Sequence, residues 1–336
     1  MLVAAWGMTM KRREFLELTA SAFAAVPGLA HADPANKMAT VGYLWHAGNE
    51  KEESPYYEAL IEGFSKLGYV DGRTFRLLHR FPNEMPDRFR SMAAELVASN
   101  VDVLMGGAVG SAYLRAATKT IPIVFMFVPD PIGLKWVQSL AHPGGNMTGI
   151  TNFGAEIASK RLQLLKELVP GLSRVGLLTN SKLEHTAIYV RVMTATATAL
   201  GLTLKTFDAL SLEEMEPAFD AMVEAGVQAM TPAQGGTAFQ GRHVIPKLAL
   251  ARGLPMCAYS RETFEPGALI SYGVDQLETC RRSAVFVDKI LKGASPSDIP
   301  VEQPTKFELL INLNTAKALR INVPLQLRLT ADEVVD

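Results

Sequence analysis

The chain has 336 residues, 33 basic against 34 acidic, and a formal net charge of −1. That balance leaves no electrostatic footprint for nucleic acid and, beyond the first residues, no basic run suited to an anionic membrane. With 48% hydrophobic residues, the length suits two α/β lobes with their own cores, or one large domain.

The chain opens with an export address over residues 1–32. Lys11-Arg12-Arg13-Glu14-Phe15-Leu16 supplies a basic head, Leu18 to Ala30 an apolar middle, and Ala30-His31-Ala32 a cleavage signal before Asp33. The paired arginines resemble a twin-arginine signal, although Lys11 stands where Ser or Thr is favoured, and Met10 is an alternative start. Neither this apolar run nor any other reaches the ~20 residues that span a bilayer. The mature chain is therefore expected free in the periplasm, with no membrane insertion.

From Val41 onward, short apolar runs alternate with amphipathic segments, the pattern of parallel sheets covered by helices. Strands are expected at Val41–Trp45, Arg76–Phe81, Val101–Met105, Ile121–Phe127 and Thr148–Thr151. A second series follows at Arg174–Thr179, Leu204–Phe207, Val227–Met230, Leu254–Tyr259 and Ala268–Val274. Their Val/Ile/Leu content with little polar alternation predicts burial on both faces. Ala158, Leu162, Leu165 and Val169 mark one helical core stripe, and Cys280, Ala284, Val287 and Leu291 another. Gly68, Gly201, Pro170-Gly171 and Lys292-Gly293 read as helix stops. The division falls near Pro143-Gly144-Gly145-Asn146. The tail offers one more run at Phe307–Leu313, a short helix and a closing strand around Leu325–Leu329. Cys257 and Cys280, on a predicted strand and a helix face, are expected as free buried thiols.

Catalytic machinery is not legible. There is no phosphate-cradling Gly-x-x-x-x-Gly-Lys-Ser/Thr loop and no Gly-x-Ser-x-Gly elbow, and the six histidines form no pair at metal-ligand spacing. No cofactor or metal is expected. Gly106-Gly107-Ala108-Val109-Gly110-Ser111 follows a strand and opens a helix; it is either a backbone cradle for a carboxylate or a tight turn without a ligand. The remaining candidates lie where doubly wound sheets bind ligands, at the carboxyl ends of strands. They are Trp45 and His46, Phe127 and Asp130, Asn180, Gln234, Tyr259, Tyr272 and Asp275. Aromatics mixed with a few polar groups suit a small, partly apolar ligand.

Ile121-Pro-Ile-Val-Phe, Leu140-Ala-His-Pro-Gly-Gly-Asn-Met-Thr-Gly149, Arg161 to Pro170 and Pro300-Val-Glu-Gln-Pro-Thr-Lys-Phe-Glu308, with Asp130-Pro131, Ser271-Tyr-Gly273 and Lys289–Gly293, together resemble the ABC transporter substrate-binding protein family that includes tryptophan- and tyrosine-binding members. The resemblance spans nearly the whole mature chain. It implies a type I periplasmic binding fold: α/β, with two doubly wound parallel-sheet lobes joined by a hinge. Lobe 1 is then expected at 38–148 plus 275–300 and lobe 2 at 149–274 plus 301–336. The implied function is capture of an aromatic or other amino acid, or a small carboxylate, for an ABC permease with a separate ATPase subunit. Such a protein is a monomer and not an enzyme. On this reading Gly107, Gly110 and Ser111 would meet a carboxylate, Asp130 and Asp275 an ammonium, and Trp45, Phe127 and Tyr272 a ring. A ligand-sensing module that presents its bound molecule to a receptor is the alternative.

Overall fold

Five strands, β1 (Ala39–Leu44), β2 (Phe75–Arg80), β3 (Val103–Gly106), β4 (Ile123–Val128) and β5 (Met147–Thr151), pair in parallel in the order β2-β1-β3-β4-β5. The computed structural model describes residues 38–152, 154–182 and 186–336, so the export address at 1–32 lies outside the described residues. The second series comprises β6 (Arg174–Thr179), β7 (Thr203–Asp208), β8 (Ala229–Pro232), β9 (Cys257–Ala258) and β10 (Ile270–Val274). Here β7-β6-β8 pair in parallel, a Met230–Met256 bridge joins β8 to the β9 edge, and β9 pairs with β10. The second sheet thus repeats the winding order of the first. In each, the order reverses beside the first strand of the series, which opens a crevice at the strands' carboxyl ends.

The chain passes between sheets three times. After β5 it enters the helix Gly154–Leu168, whose Ala158, Leu162 and Leu165 join the core of the second sheet. After β10 the helix Gln276–Leu291 returns, and its Cys280, Ala284 and Val287 pack with Leu60 and Phe64 of the helix Tyr56–Lys66. Val301 still packs against the first sheet, and Glu302 bridges Ile150. The chain then comes back as β11 (Phe307–Asn312), antiparallel to β10, and finishes in β12 (Glu333–Val335), parallel to β11.

Two expectations are corrected. Leu325–Leu329 is not a strand but part of the helix Leu325–Thr330, and β12 follows it. Leucine at every second position looks like one face of a strand. On a helix it places Leu327 opposite its neighbours, and Leu327 is 5% exposed whereas Leu325 and Leu329 are 62% and 71% exposed. Burial of every strand on both faces also fails for β7. It is the sheet edge, mostly exposed along Thr203–Asp208, whereas β3, β5 and β8 are buried throughout. The helices before Gly68, Gly171, Gly201 and Gly293 do end there, each glycine having positive φ.

Cys257 sits in the second-sheet core and Cys280 in the first, both free and buried. Burial pushes the Cys257 thiol up to about 12 and Cys280 well above its usual range. Both thiols are therefore expected to ignore an aromatic disulfide reagent in the native protein and to react in denaturant. Labelling of either before unfolding contradicts this placement. Among the described residues no helix is long and apolar enough to cross a membrane.

Candidate functional site

A cavity of ≈ 80 Å³ lies where the carboxyl ends of the two sheets face each other. One water needs roughly 10–15 Å³, so the space holds a small molecule rather than a single water. The first sheet contributes Trp45 and His46 after β1, the turn Gly107–Gly110 after β3, and Phe127 at the end of β4. The second sheet contributes Gln234–Gly236 after β8 and Tyr259 after β9. Asn152 and Arg161 line the cavity at the first passage between sheets, and Gln276 at the second.

Backbone strain aims Phe127 at the site. It adopts φ 60° where the β4–β5 register slips between Met126 and Val128, and a bulge of this kind redirects a side chain at a strand end. Two residues earlier, Phe125 pairs with Gly149 of β5, which has φ 153°, and a Cβ there would run into the Phe125 carbonyl. Only glycine lets the strands approach so closely. Phe127 then meets Tyr56 at a ring separation of 5.8 Å, and Tyr56 stacks on Phe239 from the other side at 4.7 Å. The apolar wall is thus built from both sheets.

One pole of the cavity is a charge cluster. Glu53, 1% exposed, accepts hydrogen bonds from the backbone N–H groups of His46 (2.9 Å) and Ala47 (2.6 Å), and its Oε2 stands 3.3 Å from His46 Nε2. Glu84 Oε1 lies 2.9 Å from His46 Nδ1, brought there by a turn in which Asn83 and Glu84 both have φ 55°. Burial opposes charge on this imidazole, but the two carboxylates outweigh it and raise its pKa to about 9. His46 is therefore a cation at neutral pH.

The second pole is Arg161, 4% exposed on the helix Gly154–Leu168. Its Nε donates to the Tyr272 carbonyl at 2.7 Å, and Nη1 stands 3.5 Å from Tyr189 Oη. Nearby, Asn152 Nδ2 donates to Gln234 Oε1 at 2.6 Å, which joins the passage to the β8 turn.

Beside the cavity wall at Phe239, Arg242 clasps the two sheets together. Its Nη2 donates to the backbone carbonyls of Glu52 (3.1 Å) and Ser54 (3.2 Å), and the guanidinium lies 4.0 Å over the Phe239 ring. Tyr56 Oη adds a contact to Glu262 Oε2 at 3.2 Å and one to Gln276 Oε1. Burial, the largest influence, raises the Glu262 pKa.

Of the residues expected from the sequence, Trp45, His46, Gly107, Gly110, Phe127, Gln234 and Tyr259 come together around the cavity. The structure places the others elsewhere. Asp130 Oδ1 accepts from Gly133 N at 2.7 Å in a surface turn, and Asp275 Oδ1 accepts from Glu278 N at 2.9 Å as a helix N-cap. Ser111 is fully buried, its hydroxyl donating to the Gly106 carbonyl. The Tyr272 ring stacks on Phe307, away from the cavity, and only its carbonyl serves the site, by holding Arg161. Asn180 Nδ2 donates to Thr237 Oγ1 beside a separate cavity of ≈ 20 Å³ behind Gly235. Trp45 lines the wall, but its ring already stacks on Tyr43 at 3.7 Å and its indole N–H donates to His79.

Glu53, Tyr56, Asn152, Arg161, Phe239 and Gln276 were not expected. Arg161 had a signal: it falls three positions after Ala158, on the apolar stripe, where a charge has no solvent to face. Phe239 follows Gly235-Gly236 after β8, the counterpart of Gly106-Gly107 after β3. Glu53 is indistinguishable in sequence from the solvated acids Glu50 and Glu52.

With this geometry in place, the comparisons decide the family. The profile described as ABC transporter substrate binding protein matches residues 52–335. The chain belongs to this family. Among curated proteins, this substrate-binding protein is similar to a tyrosine-binding protein of Clostridioides difficile (strain R20291), 26% identical over 288 residues, 84% of this chain and 81% of the relative. Among solved structures it resembles the ABC domain in complex with L-Trp from Streptococcus pneumonia, with a TM-score of 0.81 and 26% identity over 89% of this chain and 100% of that one. A conserved domain protein from Vibrio cholerae O1 biovar eltor gives a TM-score of 0.82 at 26% identity, with the same coverage. The fold is the type I periplasmic binding fold.

Proposed function

We propose that the chain is the capture subunit of an ABC importer, exported to the periplasm, where it closes on one small amino acid with an aromatic side chain and hands it to a membrane permease driven by a separate ATPase. The observation that carries this reading is the buried cavity between two sheets, with an aromatic wall supplied from both sides and charged groups at its poles. The tyrosine-binding relative and the L-Trp-bound neighbour support the ligand class. The lobes proposed are 38–152 with 275–302, and 154–274 with 303–336, moved from the expected bounds at 148 and 300 because β5 runs to Thr151 and Glu302 bridges Ile150. Closure would turn about the three passages between them, as in hinged ligand traps. Ligand docks on one lobe, Phe239 and Arg242 of the other then cover it, and the joined surface is what the permease reads. The protein acts as a monomer.

Calorimetry with aromatic amino acids, other amino acids and small carboxylates, together with X-ray scattering of the free and bound protein, tests the trap. One ligand per chain and a smaller radius of gyration on binding are expected. A bound small molecule with no compaction contradicts closure. The clasp is tested separately: Arg242→Ala removes both carbonyl contacts and the cation over Phe239, and is expected to weaken ligand binding about tenfold, mainly through faster release. An unchanged dissociation rate contradicts its role.

A further inference from the structure

Among the described residues three charged side chains line the cavity: His46, Glu53 and Arg161. Two of them are already paired, since His46 stands between Glu53 and Glu84. Arg161 is left over. Among the described residues no carboxylate lies within ion-pair distance of it, and its nearest hydrogen-bond partners are a carbonyl and a phenol. A guanidinium has five N–H donors, and a buried cation with only neutral partners is unfavourable unless a counter-charge arrives. The same wall holds two further oxygens suited to a polar guest. Asn152 Oδ1 and Tyr259 Oη, on residues 4% and 2% exposed, are buried without a hydrogen-bond partner among the described residues. Buried polar atoms are normally paired, so three incompletely satisfied groups lining one cavity point to a ligand that completes them.

We propose that Arg161 receives the carboxylate of the captured molecule, with Tyr259 Oη as a second donor to it and Asn152 Oδ1 accepting an N–H of the same ligand. The inference rests on the capture reading above and deepens it: the carboxyl group, and not only the aromatic ring, is required for binding. Helix and strand hold the guanidinium in place before the ligand arrives. Its Nε is tied to the Tyr272 carbonyl, which leaves the Nη edge to meet a carboxylate in the planar geometry that a guanidinium favours. The Gly107–Gly110 segment, at a helix start beside the first sheet, lines the same cavity.

The test compares each of phenylalanine, tyrosine, tryptophan, benzoate and indole-3-acetate with its amide by calorimetry on the full chain. The acid that binds is expected to bind about 100-fold more tightly than its amide, the size of effect seen when a buried charge loses its partner. Arg161→Gln should abolish that preference, and Arg161→Lys should keep part of it. Because the acid–amide comparison on the unaltered protein uses no variant, misfolding of Arg161→Gln leaves the inference testable. An amide bound as tightly as its acid, or a full preference retained in Arg161→Gln, overturns the assignment of Arg161 while leaving capture intact. Failure of every compound together with the mass-spectrometric finding of an uncharged co-purified ligand overturns the carboxylate requirement. Failure of every compound with no co-purified ligand overturns the capture reading itself.

Discussion

Replacing Glu53 with alanine is expected to cost about 3–5 kcal/mol of folding stability, measured as a shift of the urea midpoint at neutral pH. The carboxylate is buried, it satisfies two backbone N–H groups at the start of the His46 loop, and it neutralises the imidazolium beside it. Removing it strands the two backbone N–H groups and leaves the imidazolium with the Glu84 carboxylate in place of two counter-charges. The pH dependence has a definite sign. The His46 pKa is raised from 6.5 to about 9, so its charged form is favoured by folding. Stability from this group is fully present below pH 6.5 and is lost as pH rises through 9. The full shift corresponds to about 3 kcal/mol. Glu53→Gln, which keeps the shape but not the charge, should therefore differ from the parent most near pH 6 and much less near pH 10. Parallel stability profiles for parent and Glu53→Gln across that range contradict the pairing.

The second large effect is expected at Gly63, where the helix Tyr56–Lys66 crosses the returning helix Gln276–Leu291. A Cβ on Gly63 would overlap the Arg281 carbonyl oxygen and stand 2.8 Å from Arg281 Cα. Both are backbone atoms, which cannot rotate out of the way. Gly63→Leu must therefore push the helices apart, and overpacking of this kind costs about 3 kcal/mol or more. For a chain of this size that lowers the melting temperature by roughly 5 °C. The crossing is also what attaches a segment from late in the sequence to the first sheet, along with the flanking ion pair of Arg281 Nε with Glu62 Oε2 at 2.6 Å. Gly63→Leu should accordingly loosen the hinge, so that ligand affinity falls even at temperatures where the protein remains folded. A melting temperature within 2 °C of the parent contradicts this packing.

Much of the fold was legible because buried parallel strands and amphipathic helices leave periods in the sequence. Ala158, Leu162 and Leu165 lie on the core face as their spacing implies, and the two series of strands wind in the same order. The misreading at Leu325–Leu329 shows where periodicity fails, since alternate leucines fit a strand face and a short helix equally well until burial distinguishes them. Seven residues of the cavity wall were legible from strand ends alone. Asp130 and Asp275 were not separable from ligand-binding acids, because a carboxylate at a strand end caps a turn or a helix with the same residue type. The groups that were missed come from elements distant in sequence. Glu53 acquires its role only when β1 turns over it, Phe239 only when the second sheet meets the first, and Arg161 only when its helix closes against β10. Such roles depend on tertiary placement, and no local pattern records them.

The central claim is that a small guest occupies the space between the two sheets. Native mass spectrometry of freshly purified protein tests this most directly. The expected result is a chain carrying one small organic molecule that departs on unfolding and contains both a carboxyl group and an aromatic ring. A chain of bare mass that also gives no heat with any amino acid or small carboxylate would contradict it.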